Sequence, residues 1–190
     1  DDGLVQSSQC NPRAGIRQVN GVACDDLTVF QFMNKDEAEV YGVELNSNYN
    51  FNNEPNGFSL INSLAYTIGN DTSESTYTPL TTIDPFKAIT GLRYDSNNDK
   101  WGTELIATYT GVAETSSSNT NFVPDASTIF DLISFYNYND RLSFDLGLYN
   151  IFDERYYKYA TVKNESPDNE DLERFSEPGA NLKFGFKFIF

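Results

Sequence analysis

The last ten residues, 181–190, restrict most strongly how this chain can fold. Side chains in a β-strand point alternately to its two faces. One parity of this stretch is wholly apolar and consists of Leu182, Phe184, Phe186, Phe188 and Phe190. The other parity is polar or small except at Ile189. A soluble β-sandwich strand can alternate in this way, but a row of Phe is more typical of a strand with lipid on one side and water on the other.

The composition is that of a folded, strand-rich chain. Of the 190 residues, 39% are hydrophobic and 15% are aromatic, so global disorder is not expected. Twelve Tyr and fifteen Phe favour strands and the aromatic girdles of membrane barrels. No run approaches the ~20 apolar residues of a membrane-spanning helix. Barrel strands are shorter and alternating, so the sequence remains compatible with a membrane β-barrel.

The chain is strongly acidic, with a net charge of −15. Binding to nucleic acid is not expected, because neutralising phosphates requires clustered Lys and Arg. The acidic residues are scattered, which favours a role in solubility. The alternative is that acidic exterior loops face a basic or metal-bearing ligand.

Two cysteines, Cys10 and Cys24, flank a polar, loop-like stretch. A disulfide between them would close a small loop and would fit an oxidising compartment such as the periplasm or the cell surface. Two free thiols are the alternative. A metal site is not expected, because two Cys in a chain without His make a poor ligand set.

Alternating apolar residues predict seven strands in an all-β chain. The predicted strands are residues 26–50, 58–68, 85–94, 101–111, 126–136, 142–152 and 181–190. Short turns near 52–57, 95–100 and 137–141 alternate with long loops near 1–26, 69–84, 112–125 and 153–178. Bacterial outer-membrane barrels have this asymmetry, with short turns in the periplasm. It predicts a transmembrane antiparallel β-barrel in which 1–26 is an extracellular loop, 27–190 holds the strands and the C-terminus is periplasmic.

The strand count and the first residues predict a piece of a longer chain. Bacterial single-chain barrels have an even number of strands, whereas seven is odd. The sequence opens at Asp1 within a loop-like stretch, without the export signal that an outer-membrane protein needs. The alternatives are a small self-contained barrel acting as an adhesin or porin and a soluble secreted β-sandwich. The outward rows of Phe and Leu argue against the sandwich.

Charged residues recur on the parity opposite the apolar rows. They are Glu44, Arg93, Glu104, Asp131, Asp145, Lys183 and Lys187. We expect them to face the lumen or a plug domain, since charge is tolerated in a water-filled lumen and costly on the lipid face. The carboxylates are expected to pair with Lys87 and the other basic residues of this set, or with the plug.

No residue is predicted to be catalytic. The chain has no Gly-rich phosphate loop, no nucleophile elbow and no His. Asn150 and Asp153, followed by Tyr156, are expected to shape the exit from a strand through side-chain-to-backbone hydrogen bonds.

Two loop features allow more than one interpretation. Tyr156, Tyr157 and Tyr159 either contact a ligand or partner or belong to the outer aromatic girdle. The acidic segment 165–173 could bind Ca²⁺, but it lacks EF-hand spacing and favours a solvated loop.

Several segments, in this order, resemble the C-terminal half of TonB-dependent outer-membrane receptors. They are 38–45 (Ala-Glu-Val-Tyr-Gly-Val-Glu-Leu), 84–94, 147–156 (Gly-Leu-Tyr-Asn-Ile-Phe-Asp-Glu-Arg-Tyr) and 177–190. Together they span residues 26–190. The strand at 92–94 followed by Trp101, and the segment 148–153 with Tyr157 and 160–162, are most similar to the haem, haemoglobin and transferrin receptor branch.

The resemblance implies a 22-stranded barrel, of which these are the last seven strands, and a plug domain absent from this chain. It implies TonB-driven uptake of haem or an iron chelate, captured by exterior loops and the plug. The implied partners are outer-membrane lipid, the rest of the barrel, the plug, the TonB complex and haemoglobin, a haemophore or another carrier protein.

The resemblance also implies that Phe190 is part of the signal read by the outer-membrane assembly machinery. No resident cofactor is expected in this chain. Because the chain lacks His, a haem ligand from it would have to be a Tyr or Met33. Uptake of a siderophore, another metal chelate or a vitamin is the alternative.

Overall fold

The computed structural model describes residues 4–5, 18–19, 22–23, 30–31, 37–52, 56–73 and 77–190. The chain divides into two compact units, Asp1–Glu37 and Ala38–Phe190. Two antiparallel pairs form the described part of the first unit: β1 (Leu4–Val5) with β4 (Phe30–Gln31), and β2 (Gln18–Val19) with β3 (Val22–Ala23). Cys10, Cys24 and Met33 lie outside the described residues, so the disulfide remains a prediction.

The second unit is one antiparallel sheet. Its strands are β5 (Ala38–Asn50), β6 (Gly57–Asp71), β7 (Thr78–Pro79), β8 (Lys87–Asp95), β9 (Trp101–Thr110), β10 (Ser127–Asn139), β11 (Leu142–Tyr149) and β12 (Asn181–Phe188). The order is β5-β6-β8-β9-β10-β11-β12, and the short β7 pairs with β6. Each long strand therefore pairs with its neighbours in sequence. The prediction of seven long antiparallel strands is confirmed.

Some predicted boundaries were wrong. The first strand was predicted to run from residue 26, but Phe30–Gln31 pairs with Leu4–Val5 and the strand of the large sheet begins at Ala38. The polar run at 34–37 had already broken the apolar alternation. The loop predicted at 153–178 contains a helical turn, α1 (Tyr159–Val162), and a 3-10 turn (Leu172–Phe175).

The strand register gathers the apolar rows onto one face of the sheet. Leu146 lies opposite Phe184, and Phe144 lies opposite Phe186. These side chains are uncovered: Phe184 is 65% exposed and Phe186 is 69% exposed. Contiguous exposed apolar side chains of this kind mark a surface that contacts a membrane or another protein. We call this the apolar face.

The opposite face carries the charged residues that the sequence singled out. Register puts Glu44, Arg93, Glu104, Asp131, Asp145, Lys183 and Lys187 on it. Arg93 lies directly opposite Glu104, and Asp145 lies directly opposite Gly185. We call this the charged face. Its lumenal position remains a prediction.

The two ends of the sheet differ in the length of their connections. Short turns at 51–56, 96–100 and 140–141 join alternate strand pairs, and long loops at 72–86, 111–126 and 150–180 join the others. The predicted alternation is confirmed. Among the described residues, no helix is long and apolar enough to cross a membrane.

The buried core of the described residues lies at the long-loop end. Its hydrophobic members are Ala113, Ile129, Tyr159 and Val162. Val162, in α1, has 0% exposure and is the largest fully buried side chain. The buried hydrophobic side chains of the sheet unit therefore lie in and beside the long loops, whereas the apolar face of the sheet is exposed.

Candidate functional site

The three long loops are tied to one another at one end of the sheet. The backbone N–H of Phe122 donates to the carbonyl of Glu165 at 2.8 Å. Asn121 Nδ2 donates to the carbonyl of Lys163 at 3.1 Å, and Lys163 Nζ donates to the carbonyl of Thr81 at 3.2 Å. We call residues 80–86, 111–126 and 150–180 the loop cluster.

Aromatic and aliphatic packing reinforces the loop cluster. The rings of Phe122 and Tyr157 meet edge to face, with centroids 5.4 Å apart. Such a pair contributes about 0.5–1.5 kcal/mol beyond the burial of its area. Helix α1 buries Val162 and Tyr159 beneath the loops. The loop cluster is therefore a packed unit with its own small core.

A cavity of about 520 Å³ lies under the loop cluster. Its lining includes Asp131 from the charged face, Tyr156, Tyr157 and Tyr159 from the 150–180 loop, and Lys87 and Lys158. The three Tyr that the sequence singled out therefore lie at one cavity. That they contact a ligand remains a prediction.

Burial at the cavity favours the protonated form of two phenols, Tyr156 and Tyr159. Lys158 Nζ lies 2.8 Å from Glu177 Oε2, and this hydrogen bond raises the pKa of Lys158. Burial raises the pKa of Tyr156, and the nearby Glu177 carboxylate raises it further. Burial also raises the pKa of Tyr159. Both phenols are therefore hydrogen-bond donors at neutral pH.

We predict that the loop cluster loses stability in alkali as Tyr156 and Tyr159 ionise. The pKa of each Tyr is raised in the folded state above the ordinary value of 10.0. As pH rises, each Tyr therefore loses its proton in the unfolded loop before it does so in the folded loop. Stability is fully present below that pH and falls as pH rises through the folded-state pKa. Phenolate absorbance during an alkaline titration of the Tyr156→Phe and Tyr159→Phe variants measures this. Each substitution should delete a late-titrating phenol, and loss of an early-titrating one would contradict the prediction.

Asn150 closes the base of the 150–180 loop. Its side chain is buried, with the residue 3% exposed, and its backbone has φ of 49°, a left-handed conformation that Asn tolerates. Nδ2 donates to the carbonyls of Glu154 at 2.8 Å and Pro178 at 3.2 Å, and Oδ1 accepts the N–H of Glu154 at 2.9 Å. The N–H of Asn150 donates to Asp131 Oδ1 at 2.7 Å. We call these four residues the Asn150 junction.

Asp153 makes a second local contact of the same kind. Its Oδ1 accepts the backbone N–H of Ala180 at 2.8 Å, and its φ is 55°. The prediction that Asn150 and Asp153 shape the strand exit through side-chain-to-backbone bonds is confirmed. The hydrogen bonds to Pro178 and Ala180, 28 and 27 residues away, were not predicted.

The predicted pairing within the charged face is not met at Arg93, which bonds Asp95 in place of a carboxylate of the predicted set, and pairing with the plug remains a prediction. Arg93 forms a two-point ion pair with Asp95, at 2.6 and 3.0 Å, because residues two apart on a strand share a face. Lys183 lies 4.8 Å from the centroid of the Tyr149 ring, which occupies the space that a side chain at Gly147 would fill. The Asp131 carboxylate accepts a hydrogen bond from the backbone N–H of Asn150.

The acidic segment is largely solvated. Glu173 pairs with Arg155 at 2.7 Å and Asp171 with Arg174 at 3.4 Å, with all four side chains well exposed. Exposed pairs of this kind contribute little to stability. Phe190, the predicted assembly signal, lies beyond the end of β12 and is fully exposed. Its role remains a prediction.

Sequence reasoning missed the residues that hold the loop cluster together. Phe122, Val162 and Lys163 lie in segments without apolar periodicity, so no strand or helix pattern marks them. Lys158 and Glu177 are 19 residues apart, and only the fold brings them together. The one feature of the sequence that pointed to this part of the structure was the Tyr-rich segment 156–159.

Comparison with known proteins shows which family the chain resembles. Residues 1–151 match the family model described as TonB dependent receptor-like, beta-barrel. Hemoglobin-haptoglobin utilization protein B of Neisseria meningitidis serogroup A is 25% identical over 96% of this chain, covering 25% of that relative. The probable hemoglobin and hemoglobin-haptoglobin-binding protein 4 of Haemophilus influenzae is 24% identical over 87% of this chain and 19% of its own length. The chain thus spans about a fifth to a quarter of these relatives.

Solved structures agree on the fold. The copper transporter OprC matches 80% of this chain and 23% of its own, with a TM-score of 0.65 and 21% identity. The chain matched in the structure of the FpvAI-pyocin S2 complex gives a TM-score of 0.57, with 18% identity over 80% of this chain and 19% of its own. These likenesses concern the fold alone. With the family match over residues 1–151 and the antiparallel sheet described above, this chain belongs to the TonB-dependent receptor-like β-barrel family.

Proposed function

We propose that this chain is part of an outer-membrane receptor that takes up haem or iron from haemoglobin or another haem or iron carrier protein, driven through TonB. The observation that carries the proposal is the likeness to haemoglobin-named relatives over 96% and 87% of the chain. Transport, without catalysis, is also what the family match favours.

The two faces of the sheet support a position in the membrane. The apolar face meets lipid, because its exposed Phe and Leu need an apolar surrounding. The charged face lines the lumen, where water and the plug domain accommodate its ionic groups. The short turns are periplasmic, so the loop cluster is extracellular and the C-terminus is periplasmic.

The loop cluster supports capture of a protein-borne ligand. Tyr156 and Tyr157 are partly exposed and line the cavity, where they offer aromatic surface and phenol donors, and the buried Tyr159 completes this part of the lining. Tyr is favoured at interfaces because it offers a large contact area and a hydrogen bond at small cost in conformational freedom. The packed contacts at Phe122 and Val162 keep these groups in one arrangement before a carrier binds.

Binding to whole cells tests the proposal. Cells with and without the receptor are incubated with labelled haemoglobin, transferrin and a ferric siderophore under iron limitation. The proposal expects receptor-dependent binding of haemoglobin or transferrin. Receptor-dependent binding of the siderophore alone would favour the metal-chelate alternative and contradict the carrier-protein assignment.

A further inference from the structure

Asp131 connects the charged face of the sheet to the loop cluster. It lies in β10 opposite Ile106, and its carboxylate lines the cavity. Asp131 Oδ1 accepts the N–H of Asn150, the first residue beyond β11, at 2.7 Å. A hydrogen bond to a charged acceptor is about twice as strong as one between neutral groups. The strand exit at Asn150 is therefore held from the neighbouring strand.

Asn150 then joins the two ends of the loop that begins there. One side-chain amide bonds Glu154, near the start of the loop, and Pro178, near its end. Truncating this buried side chain would leave the N–H of Glu154 and two carbonyls without the partner, and unmade buried hydrogen bonds are costly. The residues between these two anchors include all three cavity Tyr.

We infer that Asp131 and Asn150 are positioning residues for ligand capture. Their hydrogen bonds fix the 150–180 loop in the arrangement in which Tyr156, Tyr157 and Tyr159 line the cavity. This inference rests on the proposed function for its ligand. The positioning itself rests on the hydrogen bonds of the Asn150 junction.

Trypsin cleavage of the receptor in intact outer membranes tests the positioning. The loop contains the cleavable residues Arg155, Lys158, Lys163 and Arg174. We expect about tenfold faster loop cleavage in Asn150→Ala, since the loop loses the hydrogen bonds that join its two ends. Asn150→Gly permits the left-handed backbone yet lacks the amide, and it should be cleaved faster as well. Wild-type resistance in Asn150→Gly would overturn the inference.

Variants of Asp131 separate hydrogen bonding from general damage. Asp131→Asn retains an acceptor oxygen and should keep most of the resistance to trypsin, whereas Asp131→Ala should lose it. Asp145→Ala is the matched control for Asp131→Ala, because Asp145 shares the charged face but lies opposite Gly185, away from the junction. Equal cleavage of Asp131→Ala and Asp145→Ala would overturn the inference. Heat-shifted gel mobility checks that each barrel is folded.

Haemoglobin binding by whole cells that carry these receptor variants separates this inference from the proposed function. About tenfold weaker binding in Asn150→Gly and Asp131→Ala, with near wild-type binding in Asp131→Asn, supports both. Faster cleavage with unchanged haemoglobin binding overturns the role in capture. Faster cleavage in a receptor whose wild type binds neither haemoglobin nor transferrin leaves the positioning in place and contradicts the proposed ligand.

Discussion

Phe184→Lys is expected to destabilise the barrel by about 2–4 kcal/mol, the cost of a Lys on the lipid face near the bilayer midplane. Phe184 lies in the middle of β12 on the apolar face, opposite Leu146, and is 65% exposed. Its ring stacks on Phe144, with centroids 6.1 Å apart. The substitution removes this contact and, on the proposed lipid-facing side of the sheet, places an ammonium in hydrocarbon. Denaturant unfolding of the receptor in lipid vesicles measures the change.

Gly185→Lys is the matched control, one residue away on the charged face. A Cβ at Gly185 would lie 3.8 Å from its nearest neighbours, atoms of Asp145, so there is room for a side chain and an acidic partner for its charge. We expect little loss of stability from this substitution. If Phe184→Lys cost no more than Gly185→Lys, the assignment of the apolar face to lipid would be wrong.

Val162→Asp is expected to open the loop cluster while leaving the strands paired. Val162 has 0% exposure, and an unpaired carboxylate buried there costs about 3–5 kcal/mol. Whether the carboxyl is ionised or protonated, it is a polar group without a partner in an apolar site, which favours displacement of α1 together with Tyr159. We therefore expect rapid trypsin cleavage of the loop and loss of carrier binding, with heat-shifted mobility of the barrel retained.

The adjacent exposed residue provides the control for this prediction. Thr161 lies in the same helical turn but faces solvent, so Thr161→Asp introduces the same charge without burial. It should bind the carrier like the wild type. Equal loss of binding in Thr161→Asp and Val162→Asp would mean that charge, and not the packing of Val162, is responsible.

The sheet was predictable from sequence because the two faces of a strand appear in the sequence as alternating apolar and polar residues. In β12 the apolar and polar residues alternate almost without error, and the structure pairs them in that phase with β11. The charges at Glu104, Asp131 and Lys183 fell on the opposite face for the same reason. The short turns were visible as runs of Asn, Asp and Gly.

The loop cluster could not be predicted in the same way. Val162 and Phe122 stand alone in polar segments, and their burial depends on contacts between loops distant in sequence. The Asn150 junction was anticipated only in its local part, because the bond to Pro178 spans 28 residues. Arg93 was expected to pair with the charged-face carboxylates or with the plug, although Asp95, two residues along the same strand, was an equally visible candidate.

Growth on a defined iron source tests the central claim most directly. The parent strain and a receptor deletion strain are grown with haemoglobin, transferrin or a siderophore as the sole source of iron. The account predicts that the deletion strain fails on haemoglobin or transferrin and recovers when the receptor gene is restored. Equal growth of the two strains on haemoglobin and on transferrin, with a defect confined to the siderophore, would contradict it.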